Sequence, residues 1–324
     1  MLKAKDLRGC YPALITPMME EEGQIVVDID KFHQVIAQVV DAGVSGVLIA
    51  GTTGQSATLT HEEHVKVVVE GAIYARGYAA GQGREIQIIA SAGSNSTHEA
   101  LDLSRRILLE GKVDALLHVT GYYNNPPQEG LLAHYKKVAD VAAEFESSVI
   151  LYNVPSRTNS NIEAATAIEL AKHPAIIGVK EASGNIEQIK QILDGTDREQ
   201  FAVVSGEDHM VADIIAMGGQ GVISATANVW PGEFQTLCNL ALAGEMDKAR
   251  ELQEALMPCV QATFSVKNPI PLHHILDSKI RLPLVTMDQL EDEKRRMALE
   301  KIDKALAIKS FPHVGDVAGP RTLA

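Results

Sequence analysis

Short runs of apolar and β-branched residues recur along the chain. Each is followed by a polar or glycine-rich turn and then by a segment whose apolar positions repeat with helical spacing. The runs are Tyr11 to Thr16, Gly46 to Ala50, Ile86 to Ser91, Ala115 to Val119, Ser148 to Asn153, Ile176 to Lys180, Phe201 to Ser205 and Gly221 to Ser224. Helical spacing occupies Asp28 to Asp41, Thr60 to Arg76, Thr97 to Glu110, Gln128 to Phe145, Ile162 to His173, Ile186 to Asp194 and Asp208 to Met217. Continuous apolar runs mark strands buried on both faces, and their alternation with helices marks an α/β protein with a parallel sheet. The pattern predicts a (β/α)8 TIM barrel over residues 1–230. A doubly wound open sheet is the alternative, but no G-x-G-x-x-G follows the first run, so the sign of a dinucleotide-binding domain is missing.

From Gly232 onward the spacing is helical only, in Phe234 to Ala243, Met246 to Phe264 and Met287 to Ile308. That is too much chain for one closing helix and predicts a C-terminal helical subdomain over residues 231–309. Residues 310–324 carry two prolines, two glycines and no periodicity, which reads as a flexible tail.

A barrel of this kind gathers its chemistry at the C-terminal ends of its strands. The unusual residues fall there: Gly51-Thr52-Thr53-Gly54-Gln55 after the second run, Thr120-Gly121-Tyr122-Tyr123 after the fourth, Tyr152 to Thr158 after the fifth, Lys180 after the sixth and Ser205 to Asp208 after the seventh. Lys180 closes the apolar run Ala175 to Val179. An ammonium in a low-dielectric core is destabilised, and a lysine driven neutral is a nucleophile able to form a Schiff base with a carbonyl substrate. The alternative is a strand-end lysine that snorkels to solvent or pairs with a carboxylate.

Around that lysine, Tyr152 can act as a proton shuttle, and a hydroxyl chain through Thr52 to Tyr122 or Tyr123 can extend it. Tyrosines in such a loop equally suit an oligomer interface. The backbone of Gly51 to Gly54, with Thr53, suits a carboxylate at the start of a helix. Arg157, the one arginine of these loops, suits a substrate carboxylate through its planar fork.

The remaining composition narrows the partners. The chain has 324 residues, 46% of them hydrophobic, and a net charge of -13. This excess argues against nucleic acid or an anionic membrane, and it obliges an anionic substrate to find a local cluster of positive charge. Cys10, Cys238 and Cys259 have neither an even count nor C-x-x-C spacing, so no disulfide framework or zinc site is expected, in keeping with a reducing cytoplasm. His61 and His64 stand in His-Glu-Glu-His, not H-E-x-x-H, and so do not predict a metal. No basic-plus-apolar leader and no apolar stretch near 18 residues is present, so neither a secretion signal nor a membrane span is expected.

Taken together, Gly51-Thr52-Thr53-Gly54, Tyr122-Tyr123-Asn124, Tyr152 to Thr158, Gly178-Val179-Lys180-Glu181-Ala182 and Gly221-Val222-Ile223-Ser224 occur in family order. Over roughly Leu7 to Ile308 the chain resembles the class I aldolase superfamily of dihydrodipicolinate synthases and N-acetylneuraminate lyases, and most of all its synthase branch. The resemblance implies a pyruvate Schiff base on Lys180, with the pyruvate carboxylate near Thr52 and Thr53, and an enamine that attacks aspartate semialdehyde. It implies a relay of Tyr152, Thr52 and Tyr123, the last from a neighbouring subunit. It further implies that Arg157 binds the semialdehyde carboxylate and positions Tyr152, that Gly206 and Ile223 line the pocket, and that neither cofactor nor metal is needed.

A tetramer built from tight dimers is the family's usual assembly. Ser56, Ala57, Leu59, His61, His64, Asn95, Glu99 and Tyr122 match the positions that bind feedback-inhibiting lysine in many of these synthases. Two residues depart from the pattern. Gln55 stands where glutamate is common, and Gly121 replaces the usual proline, which would leave Tyr123 less preorganised. The competing readings are a pyruvate-dependent lyase acting on a sugar acid or hydroxyproline-derived acid, which the same lysine chemistry would serve, and an idle amino-acid-binding protein that kept the fold. Arg157 and the effector constellation weigh against the first, and joint retention of Lys180, Tyr152 and Arg157 against the second.

Overall fold

The computed structural model describes residues 1–315; the remainder of the stretch read as a tail, 316–324, lies outside the described residues. Eight parallel strands form one sheet: β1 (Gly9–Pro12), β2 (Gly46–Ile49), β3 (Gln87–Ser91), β4 (Ala115–Val119), β5 (Ser148–Asn153), β6 (Ile176–Glu181), β7 (Ala202–Ser205) and β8 (Gly221–Ser224). Their order is β1-β8-β7-β6-β5-β4-β3-β2. The ends meet where Ala13 bridges Leu48 and the Leu14 N–H donates to the Leu48 carbonyl at 2.9 Å. The result is the expected (β/α)8 barrel.

Alternation along each strand separates two cores. In β4, Ala115 and Leu117 point inward to a cluster with Tyr11, Leu48, Ile89, Ile150 and Ile223, while Leu116 faces the helices. Both faces are apolar because both are covered, which is why the strands read as unbroken apolar runs.

The covering helices are α1 (Ile29–Asp41), α2 (His61–Gly81), α3 (Thr97–Gly111), α4 (Gln128–Glu144), α5 (Ala164–Leu170), α6 (Ile186–Gly195) and α7 (Val211–Ala216). Several starts are set by side-chain caps. Asp28 accepts from the Lys31 N–H, Ser96 from Glu99, Asn185 from Gln188, and Thr60 forms a reciprocal capping box with Glu63.

Boundaries depart from the sequence pattern where tertiary contacts overrule it. Helix α2 runs through Gly77 to Gly81, because Ala75 and Ala79 are buried beneath it. Helix α5 starts later than expected because the Ile162 N–H is drawn to Asn153 Oδ1 at 2.9 Å. Elements not foreseen include a hairpin, Met18–Glu21 with Gln24–Val27, a single helical turn, Pro155–Thr158, and a short helix, Ile270–Ile275.

Helix α8 (Pro231–Leu242) packs on β1, where Gln235 Oε1 accepts from the Cys10 N–H at 3.2 Å and the Ser45 N–H at 3.0 Å. It takes the eighth helix's place in the ring. Beyond it, α9 (Met246–Thr263), the short helix α10 (Ile270–Ile275) and α11 (Asp292–Leu306) extend the fold. The segment between α9 and α10 returns to the barrel mouth. Cys10, Cys238 and Cys259 are free and buried. Among the described residues no helix is long and apolar enough to cross a membrane.

Candidate active site

The C-terminal ends of the strands surround a cavity of about 290 Å³. Thr52, Thr53, Tyr152, Arg157, Lys180, Gly206 and Ile223 all line it. Tyr123 does not. It is 93% exposed on the loop after β4, in left-handed backbone at φ 73°, and its N–H reaches the Thr158 carbonyl.

Lys180 reaches the cavity through an irregularity. Val149 pairs with Ile176, but Ile150 pairs with Gly178, so Ile177 is an extra residue in β6. From that point Gly178 and Lys180 share the inward face, and Lys180 stands beside Tyr152 on β5 and Val204 on β7. A side chain at Gly178 would collide with the Ala202 carbonyl, so the bulge requires glycine there. Lys180 and Tyr152 are each 7% exposed, and Lys180 Nζ lies 4.4 Å from the centroid of the Tyr152 ring. Gly206 leaves room for the lysine stem; a Cβ there would stand 3.1 Å from Lys180 Cε.

Arg157 sits on the single turn Pro155–Thr158 that follows β5. Its guanidinium and Lys267 at the rim provide the local positive charge that an anionic ligand needs on a chain of net charge -13. Thr53 is buried, and its Oγ1 accepts from Asn268 Nδ2 at 3.0 Å.

Residues to which the sequence assigned no role build the supporting layer. Glu181 is fully buried beside Lys180; Asn153 Nδ2 donates to both its oxygens at 3.1 Å, the Ser183 N–H to Oε1 at 2.9 Å and Gln188 Nε2 to Oε2 at 3.3 Å. Burial raises its pKa, and these donors oppose the rise. Asp208 Oδ2 accepts from the Thr226 N–H and hydroxyl at 2.8 and 2.6 Å, tying the end of β7 to that of β8. Glu207 lines the cavity, and burial raises its pKa above the ordinary carboxylate value. Glu207 and Asp208 were visible only as a strand end. Asn268, Lys267 and Phe264 enter the lining from the C-terminal segment and had no local signal at all. Asn268 Oδ1 is buried with no hydrogen-bond partner among the described residues.

The residues matched to an effector site are divided among the turn after β2, the start of α2, the loop after β3 with the start of α3, and the loop after β4. Ser56 and Ala57 occupy the turn Ser56–Thr58, with Leu59 buried behind it. Ser56 also lines the cavity at the barrel mouth. His61 is exposed at the start of α2, whereas His64 is buried with Nε2 2.7 Å from the Ser91 carbonyl, and burial lowers its pKa. Asn95 Oδ1 accepts from the Tyr122 N–H at 3.0 Å, and Glu99 accepts from Ser94 Oγ at 2.7 Å. Gly121 is packed rather than loose, since a Cβ there would stand 2.7 Å from Pro126 Cγ.

A model of the Dihydrodipicolinate synthetase family matches residues 6–302. The 4-hydroxy-tetrahydrodipicolinate synthase of Methanocaldococcus jannaschii is 40% identical over 309 residues, 93% of this chain and 99% of its own length. The crystal structure of the chloride-inhibited dihydrodipicolinate synthase of Acinetobacter baumannii complexed with pyruvate superposes with a TM-score of 0.82 at 34% identity, covering 93% of this chain and 100% of the other. That of the Cyanidioschyzon merolae enzyme with lysine bound gives a TM-score of 0.82 at 31% identity, covering 93% and 98%.

Proposed function

This chain belongs to the dihydrodipicolinate synthetase family, and we propose that its barrel mouth condenses pyruvate with L-aspartate 4-semialdehyde to 4-hydroxy-tetrahydrodipicolinate, on the lysine (diaminopimelate) biosynthetic route. It is a class I aldolase-type lyase. The observation that carries this reading is the pairing of Lys180 with Tyr152 in the cavity that also holds Thr53 and Arg157.

The Lys180 amine adds to the pyruvate ketone and water leaves, giving an imine. Loss of a methyl proton turns the imine into an enamine, whose carbon attacks the aldehyde. Tyr152, Thr52 and Tyr123 pass the protons these steps release and consume, with Tyr123 entering from a neighbouring subunit. Thr53 and Thr52 hold the pyruvate carboxylate, Arg157 holds that of the semialdehyde, and Gly206 and Ile223 shape the walls. When the semialdehyde's own amine closes the ring onto the imine carbon, Lys180 is released, so the chemistry calls for no cofactor. The Glu207 carboxylate in the cavity lining favours a substrate bearing an ammonium group over a sugar acid.

The exposed Tyr122 and Tyr123 support assembly into a tetramer of tight dimers, and the cysteine usage supports a cytoplasmic location. Ser56, Ala57, Leu59, His61, His64, Asn95, Glu99 and Tyr122 form the lysine effector site in this reading, supported by the lysine-bound relative. The test is coupled turnover with pyruvate and aspartate semialdehyde, read through an added dihydrodipicolinate reductase. Turnover is expected. Silence, with pyruvate still trapped on Lys180 by borohydride, would move the substrate to other aldehydes and leave the imine chemistry in place.

A further inference from the structure

Gln55 ends the turn that carries Thr52 and Thr53, and it is buried in left-handed backbone at φ 57°. Its partners dictate how its amide points. The Arg281 N–H donates to Gln55 Oε1 at 3.3 Å, so the amide nitrogen faces the other way, 3.1 Å from His273 Nε2. An amide NH2 can only donate, so Nε2 is the bare acceptor and the ring proton sits on Nδ1. That proton is directed at Ser278 Oγ, 2.9 Å away, which also accepts from the Met18 N–H at 2.8 Å and donates to the Lys279 carbonyl at 3.0 Å. The chain of bonds is consistent for an amide at 55 and a neutral imidazole at 273. A carboxylate at 55 would face a bare ring nitrogen. Burial, which pushes the His273 pKa down to about 4, agrees with the neutral ring.

The far anchor is rigid, because the Arg281 guanidinium bonds both Glu63 oxygens at 2.6 and 2.8 Å, Thr58 O at 3.1 Å and Ile25 O at 2.8 Å. At the near end, the Gln55 N–H donates to the Thr52 carbonyl at 3.1 Å. Asn268, on the same C-terminal segment as His273, grips Thr53. We propose that Gln55 is a positioning residue: paired with neutral His273, it clamps the Thr52–Thr53 turn onto the C-terminal segment and so sets the affinity for pyruvate. This rests on the pyruvate reading of the cavity.

Because a carboxylate at 55 needs a protonated partner, Gln55→Glu has a signature that simple loss of packing lacks. His273 also faces a cavity lined by Glu20, Asp28, Lys31, His274, Asp277, Lys279 and Asp288, none of which bonds its ring nitrogens. The experiment is borohydride trapping of the full-length protein over a range of pyruvate concentrations, at about pH 8 and about pH 6. At the higher pH, Gln55→Glu is expected to raise the half-saturating pyruvate about tenfold, the size of effect that follows from a mismatched buried hydrogen bond. At the lower pH the value recovers, because the carboxylate facing the ring raises the His273 pKa, and the ring takes a proton and donates it to that carboxylate. Gln55→Met raises it at both. If Gln55→Glu does not fold, His273→Gln, which keeps an acceptor for the amide, is expected to bind pyruvate as the wild type does, and His273→Leu about tenfold more weakly. Wild-type saturation in Gln55→Glu at both pH values, or in His273→Leu, would overturn the proposal. Failure of the wild type to trap pyruvate would instead overturn the reading on which it rests.

Discussion

A methyl group at position 206 tests how closely the lysine is held. A Cβ on Gly206 would stand 2.6 Å from Ala182 Cβ, 3.1 Å from Lys180 Cε and 3.2 Å from the Glu181 carbonyl. Carbon atoms in contact rest about 3.5–4.0 Å apart, so the first of these overlaps by about 1 Å. The backbone has little room to retreat. The Gly206 N–H donates to the Glu181 carbonyl at 2.7 Å, and the Ala182 N–H to the Asn153 carbonyl at 2.9 Å. Overpacking of a filled core costs about 1–3 kcal/mol. The lysine stem is the softest neighbour and takes up part of the strain, and misplacing a reacting atom by about 1 Å can lower a rate about 100-fold. Gly206→Ala is therefore expected to lower kcat/KM by about two orders of magnitude and to slow borohydride trapping in parallel, with a modest loss of thermal stability. Gly77→Ala is the control, since its Cβ meets nothing within 4 Å. Coupled turnover and mass-resolved trapping read the effect, and a Gly206→Ala enzyme with wild-type kcat/KM would refute the reasoning.

Lys180→Ala is expected to abolish pyruvate trapping and nearly all turnover; a pyruvate adduct at another residue of that variant would sink the assignment of the nucleophile. The Arg281 guanidinium lowers the Glu63 pKa from 4.5 to about 2. A carboxyl depressed in the folded state stabilises fully above its unfolded value and loses that contribution as pH falls toward the folded one. The ceiling is ~3.4 kcal/mol, but the Glu63 and Arg281 side chains are 31% and 17% exposed, so about 1–2 kcal/mol is expected after solvent screening. Glu63→Gln should therefore be less stable than wild type to urea at pH 7, and the gap should narrow as pH falls below the ordinary carboxylate value; a constant gap would speak against the pair. Glu207 is raised by burial, so it ionises only above the usual carboxylate range. The kcat/KM for the semialdehyde should rise with pH through that raised value, and Glu207→Gln should flatten this acid limb and raise KM for the semialdehyde more than for pyruvate. An unaltered limb would exclude Glu207 from the ammonium seat.

The eight strands were legible because each is short, apolar and covered on both faces; β4, β5 and β8 begin and end where the apolar runs do. The hairpin escaped because Met18–Glu21 has one buried residue followed by three exposed ones, and α10 because Pro269 precedes it and Pro271 sits in its first turn. Tyr123 after β4 lies outside the cavity lining, whereas the cavity-lining residues at strand ends were legible through barrel geometry, which sends such ends to one mouth. Asn268 and the His273 partner of Gln55 were not, since each contact joins segments more than 200 residues apart and leaves no mark on local periodicity.

Lys180 shows where position and periodicity disagree. Counting alternately from Ile176, which faces the helices, puts Ile177 inside, Gly178 outside, Val179 inside and Lys180 outside, away from any substrate. In the fold Val179 lies in the outer core, and Lys180 faces the cavity. The extra residue at Ile177 reverses the phase, since a slip of one residue exchanges the faces of a strand. The cavity face of β6 is therefore set by a backbone irregularity that only glycine at 178 can pack against β7. The sequence carries it as a single Gly178 inside an otherwise β-branched run, a mark that alternation alone reads as a weak strand and that pairing with β5 reads as the device that aims the lysine.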